Sequence, residues 1–238
     1  LVPLTLALVL GCERDSSERQ PDPTKKEADK PVEAKKVAAG KNVWVEVEDK
    51  KVKRVLVQAE VCLKMGQLEQ LMCRKNTKEH EALLAADADA RDIHKALIAA
   101  GAEPGSPVQF DPKYVPAKGQ TIKVTLRYED QGKTVTVPAR SWIRNARTGK
   151  ELASDWVFAG SRFVKNPLDP DKPPLYLAND GDVICVSNFD TAMLDLPIQS
   201  PKDNADLIFE AFSERVPPLG TKVTVILEPV PDAKKKDK

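Results

Sequence analysis

The sequence predicts an α+β fold, with a mainly antiparallel sheet, about three short helices and a single domain. Three observations predict it. Apolar residues alternate with polar ones in several short runs, some isolated runs carry helical signals, and strands do not alternate regularly with helices, as a parallel sheet would need. The clearest alternation is Val55, Val57, Ala59, Val61 and Leu63, with Arg54, Gln58, Glu60 and Lys64 between or beside them. Lys64-Met65-Gly66-Gln67 then reads as a turn, so Leu68–Cys73 is expected to return as the second arm of a hairpin. Thr77 is placed to cap a helix over Lys78–Ala86. Asp89 opens a second helix, whose apolar face is Ala90, Ile93, Leu97 and Ala100 and whose end is Gly101.

Further on, Ile122, Val124, Leu126 and Tyr128 alternate with Thr121, Lys123, Thr125 and Arg127, and Asp130-Gln131-Gly132 turns the chain toward Val135 and Val137. Short strands are expected at Trp142–Arg144, Trp156–Phe163 and Asp182–Ser187. Ser200, Pro201 and Asp203 carry the signature of a third helix, with Leu207, Ile208, Ala211 and Phe212 on its buried side. Val223, Val225 and Leu227 close the domain as a strand.

Ahead of this domain the character changes. Residues 1–11 are apolar and uncharged, and Cys12 follows them. Eleven residues are too few for a membrane-spanning helix, which needs roughly 20, but they suit the h-region of a secretory signal whose start lies upstream. Val9-Leu10-Gly11-Cys12 is similar to the lipobox of bacterial lipoproteins, although Leu10 is bulkier than the usual residue there. The similarity implies lipidation of Cys12 and a membrane partner; a plain signal peptide with an incidental cysteine is the alternative, and export follows from both. Residues 13–41 are polar and charged, too poor in apolar residues to fold, and read as a disordered tether. A coil of that length spans roughly 30 Å. Residues 42–230 form the expected domain, and 231–238 a charged tail.

Lys and Arg total 37 and Asp and Glu 36, a net charge of +1, which argues against nucleic acid as a partner. Aromatic residues make up 5%, too few for base-stacking platforms.

Several groups of residues invite chemistry. Cys62 and Cys73 are a possible disulfide in an exported chain. In the hairpin register, however, they lie about 13 Å apart along the strands, beyond the Cα separation of about 7 Å that a bridge tolerates. Only a bulge or wider loop around Gly66–Leu71 would bring them together. Cys185, in an apolar run, reads as a buried free thiol. His80 and His94 form a metal site only if they converge with Glu79, Glu81 or a cysteine. Otherwise they are hydrogen-bonded packing residues. Asp155 and Trp156, with Arg162, Arg140 and Arg144 nearby in sequence, make either a polar pocket for an anion or an ordinary strand with charged outer residues.

Across about Val55–Pro229 the chain resembles the bacterial YdjY domain family. The residues that carry the resemblance include Val61-Cys62-Leu63 with Gly66, Leu68-Glu69 and Cys73, then Lys78-Glu79-His80-Glu81 and Ile93-His94. Asp155-Trp156-Val157-Phe158, Ser187-Asn188-Phe189 and Ala192–Pro197 continue it. The resemblance implies no established reaction. The ferredoxin-like label of some members does not transfer, because an iron–sulfur cluster needs four cysteine ligands and lipidation of Cys12 leaves Cys62, Cys73 and Cys185. The cofactor is therefore unknown. The expectation is an exported, lipid-anchored envelope protein, periplasmic or on the cell surface, that binds an envelope protein or small ligand and has no catalytic constellation. A metal-binding or redox-active periplasmic protein using His80, His94 and a cysteine is the alternative.

Overall fold

A computed structural model describes residues 34–231 except 168, 170 and 202–206. The lipobox, most of the tether and nearly all of the charged tail lie outside the described residues. The chain runs through β1 (Lys35–Gly40), β2 (Val43–Glu48), β3 (Lys51–Val61), β4 (Gln70–Arg74), β5 (Ala82–Ala86) and α1 (Ala90–Ala99). Next come β6 (Pro104–Ser106), β7 (Lys118–Gly119), β8 (Thr121–Asp130), β9 (Lys133–Pro138) and β10 (Ile143–Asn145). The remainder is β11 (Trp156–Phe158), β12 (Phe163–Val164), β13 (Leu175–Tyr176), β14 (Ile184–Cys185), β15 (Leu194–Asp195), β16 (Phe209–Ala211) and β17 (Lys222–Pro229).

Eight of these strands close on themselves in the order β3-β17-β8-β11-β15-β14-β4-β5, and β5 returns to β3. The expected α+β class is therefore wrong: the fold is a closed β-barrel with one α-helix among the described residues. Most neighbours are antiparallel, but β4 with β5 and β14 with β15 run parallel. β1 and β2 extend the sheet outward from β3, and β9 extends it from β8. β1 thus uses residues assigned to the tether, and ordered pairing begins by Lys35.

One expected helix is a strand instead. Ala82–Ala86, sequence ALLAA, is rich in helix formers but is buried along its whole length and pairs with strands on both sides. Those tertiary hydrogen bonds override a propensity worth only tenths of a kcal/mol per residue. Residues 202–206 of the third expected helix lie outside the described residues; on either side of them, Ser200 Oγ donates to Val186 O in the interior, and Phe209–Ala211 pairs as a strand with β10. The second helix forms as read. Asp89 Oδ1 accepts from Arg91 N, and Ile93 and Leu97 are buried. Gly101 takes φ +84° while Ala102 N donates to Leu97 O, a Schellman ending.

The strongest alternations become the long barrel strands. β17 lies between β3 and β8, with Val225 opposite both Val57 and Leu126. The β8–β9 hairpin also forms as read, turning through Gln131 at φ 48° and Gly132 at φ 76°. One continuous apolar cluster holds the barrel, and Trp142, Trp156 and Phe158 are its largest fully buried side chains. Eight strands enclose a space that side chains alone can fill, and these do. Trp156 also ties β11 to β14 across β15, because its Nε1 donates to Cys185 O at 2.7 Å.

Trp156→Ala removes that volume and leaves the Cys185 carbonyl without its donor. Unfolding free energy should fall by about 3–5 kcal/mol, measured by equilibrium urea denaturation at constant pH.

Candidate functional site

Barrel closure gathers a charged cluster at the starts of β4, β5 and β14. Glu69 and Glu81 immediately precede β4 and β5, and Glu69 N and Gln70 N both donate to Glu81 O, at 3.0 and 3.1 Å. Glu69 O in turn accepts from Val186 N and Ser187 N, so the segment after β14 is bound to the same spot. Asp182 precedes β14 and sits beside Gln70, whose Nε2 donates to Asp182 Oδ1 at 3.3 Å.

Lys78 enters this cluster from the β4–β5 loop. The loop is shaped by Asn76 at φ 64° and by the Glu79 carboxylate, which accepts from Asn76 N and, at 2.9 Å, from Thr77 N. Gly181 makes room for Lys78: at its φ of +127° a Cβ would lie 2.8 Å from Lys78 Cγ and 2.9 Å from Thr77 Oγ1. Lys78 Nζ then stands 3.1 Å from Asp182 Oδ1, 3.6 Å from Glu81 Oε1 and 3.8 Å from Glu69 Oε2. It also lies 4.4 Å from the centre of the Phe189 ring, within cation–π range.

Three carboxylates thus surround one ammonium. Burial works against the Lys78 charge, but Asp182 and Glu81 outweigh it and hold the pKa above its ordinary value. Asp182 also accepts from the Thr191 hydroxyl. Glu69 bears the excess charge. Burial pushes its carboxyl up to about 7, helped by the charge of Glu81 and a hydrogen bond between the two carboxyls, with Lys78 opposing. Near neutrality the Glu69 carboxyl is therefore partly protonated. The Gln70 Oε1 atom is fully buried and has no hydrogen-bond partner, although the other end of its amide is bound to Asp182.

Next to this cluster are two thiols. β5 lies between β3 and β4, so the hairpin expected from the turn at Gly66 does not form. Cys62, just beyond β3, and Cys73, within β4, flank β5 and pack together over Ala82 and Ala85. Their side chains hydrogen-bond, which overturns the wide separation inferred from the hairpin register. The bond from Cys62, with Lys78 N–H and Thr77 also contributing, draws the Cys73 thiol below its usual range and pushes Cys62 above it. Both are free thiols here. Cys185 is fully buried, and burial drives its pKa well up, as expected for an inert thiol.

The two histidines do not converge. His80 is largely exposed, 3.6 Å from Glu81. His94 on α1 packs edge-on against Phe158 and Tyr176, and its Nδ1 is 2.8 Å from Tyr176 Oη. Tyr176 donates to Gly160 O, so His94 carries its proton on Nδ1, and burial holds the ring neutral. Glu79 is committed to its loop backbone. No group of three metal-ligating side chains gathers among the described residues. The anion pocket does not assemble either. Asp155 pairs with Arg140 at 3.3 Å, Arg162 with Asp190 at 2.7 Å and Arg144 with Glu210 at 2.7 Å, while Trp156 is in the core. A basic depression of about 350 Å³ is lined by Arg74, Arg91 and Lys172, but Arg91 is taken by Asp89 and Lys172 by Asp169.

Sequence reasoning flagged the Lys78–Glu81 stretch and Glu69 but missed Gln70, Asp182 and Thr191. One signal was available: Gln70 and Asp182 are polar residues within or against apolar runs that become buried strands.

The family model for the YdjY domain matches residues 43–228. No curated protein and no solved structure matches.

Raised carboxyl pKa values fix a sign for stability against pH. Glu69, at about 7 against an ordinary 4.5, binds more protons folded than unfolded, so its contribution is complete below about pH 4.5 and is lost as pH rises through 7. Asp195, pushed up to about 7 by burial, acts in the same direction. His94, with its pKa lowered, acts in the opposite direction near its own. The difference between wild type and Glu69→Gln isolates Glu69: urea denaturation should show the wild type losing ground to the variant from pH 4.5 to 7, and a pH-independent difference would contradict this.

Proposed function

We propose, for a chain that belongs to the YdjY domain family, the role of an exported accessory domain of the bacterial envelope. In this reading, lipid on Cys12 holds it to the membrane, and a tether ending before β1 lets the barrel reach a partner. Contact is made at the Lys78 cluster.

One observation carries the reading: two buried carboxylates, Glu69 and Asp182, and the half-buried Glu81 face a single ammonium, with the Gln70 oxygen beside them unpaired. The barrel interior is filled by its own side chains, so ligand contact falls to the outside, and this cluster offers surplus negative charge there. An ammonium or guanidinium group, from a small ligand or a basic segment of an envelope protein, suits it best. Lys78 acts as a resident counter-ion that such a group displaces or joins. Desolvated charge pairs of this kind are stronger than exposed ones, so a partly buried site can select for cations.

The layout ahead of the barrel supports the envelope location. A lipobox-like tetrapeptide, then a charged stretch poor in apolar residues, precedes a folded domain. That order suits an anchored, mobile binder. A thiol-based reading has one specific observation in its favour, the contact between Cys62 and Cys73; the histidines add nothing to it.

Two measurements test the proposal. The full-length precursor, expressed in a bacterial host, should fractionate with membranes and carry acyl mass, and Cys12→Ser should move it to the soluble fraction. A wild-type protein that is soluble and unmodified contradicts the anchor. Separately, a short oligolysine peptide should bind in a salt-sensitive manner, and Glu81→Gln should weaken it about tenfold, the worth of one charge-assisted hydrogen bond. Equal binding by the variant, or none by the wild type, contradicts the cation site.

A further inference from the structure

The contact between Cys62 and Cys73 has chemistry of its own. Neither thiol is among the charged groups of the Lys78 cluster. The two sulfurs nevertheless meet across β5, in an otherwise small-residue patch of Ala82 and Ala85. We propose that Cys62 and Cys73 form a thiol–disulfide exchange site that reacts with small disulfides.

The two cysteines are unequal in ways that assign their parts. Cys62 is half-buried and therefore reachable, whereas Cys73 is completely buried. Cys73 lies within β4, paired with Ala85, and cannot shift without disturbing the ring. Cys62 is the first residue beyond β3, at the start of the 62–69 connection, and its N–H donates to Leu83 O at 3.0 Å. Its Sγ already donates to Ala82 O at 3.1 Å on the near side of β5. The surroundings of Cys73 supply a donor, the Lys78 N–H, which stabilises negative charge on its sulfur. Glu79 is the acidic group facing both sulfurs.

The steps follow. An external disulfide, RSSR, approaches the Cys62 sulfur. Cys62 attacks and gives up its proton, forming the mixed disulfide Cys62–S–S–R and releasing RSH. Cys73 then attacks Cys62 Sγ, loses its proton and expels the second R group as RSH. The balance is two protein thiols and RSSR giving one protein disulfide and two RSH. No further oxidant is required, and a small thiol in excess reverses it.

The backbone makes this bridge a distinct conformational state. The cysteines lie on strands separated by β5, up to about two strand spacings of roughly 4.8 Å, while a disulfide holds its Cα atoms within about 7 Å. Closing it draws the 62–69 connection toward β4. A bridge that must move backbone is readily reduced, which suits exchange better than permanent cross-linking.

The test uses the full chain carrying Cys12→Ser, fully reduced, desalted and incubated with oxidised glutathione. Samples are quenched with acid, alkylated and weighed. The expected result is a loss of about two mass units, a peptide linking Cys62 to Cys73, and recovery of both thiols with reduced glutathione. Cys185 should be alkylated only after unfolding. Adding Cys73→Ser should halt the reaction at glutathione on Cys62. A stable mixed disulfide on Cys62 in the chain that retains Cys73 would overturn the proposal. So would unreacted thiols, or a Cys73→Ser chain that takes up no glutathione.

Discussion

Two residue pairs, Glu60 with Ala85 and Val61 with Leu84, close the barrel. Everything of chemical interest depends on that seam. Because β5 is inserted between β3 and β4, its parallel pairing with β4 places Glu81 next to Glu69. The same insertion puts Cys62 and Cys73 on the two flanks of one strand. A simple β3–β4 hairpin would have produced neither arrangement. The seam is short, and the apolar cluster beneath it supplies the stability that two cross-strand pairs alone lack.

The β4–β5 loop joins the two features. Its backbone N–H at Lys78 supports Cys73, and its Lys78 side chain enters the carboxylate cluster across Gly181. Lys78 thus borders both the thiols and the carboxylates Glu69, Glu81 and Asp182. The cluster itself is a compromise. Burial raises the cost of each charge, the Lys78 ammonium offsets part of it, and the raised pKa of Glu69 offsets more. A site with surplus negative charge and one displaceable cation is suited to recognition of cationic groups.

The barrel itself was not legible in the sequence, but its long strands were, because strict alternation survives in β3, β8 and β17, which pair with one another. The β8–β9 turn and α1, with Asp89 and Gly101 at its ends, were legible for equally local reasons. What was not legible is what depends on distant partners. ALLAA at residues 82–86 reads as helix because alanine and leucine favour one, and only pairing with β3 and β4 makes it a strand. β14 and β15 are too short to carry a period. The site followed the same division. Lys78, Glu81 and the two cysteines stood out by residue type, whereas Asp182 and Gln70 acquire meaning only when β14 docks against β4.

The most direct test of this account is solution NMR of the barrel seam. Nuclear Overhauser contacts between Val61 and Leu84, and between Met72 and Leu84, are the predicted result, since β5 then has a neighbour on each side. Contacts between Cys62 and Glu69, in the register of a β3–β4 hairpin, with none from Val61 to Leu84, would contradict the closed barrel and the sites it assembles.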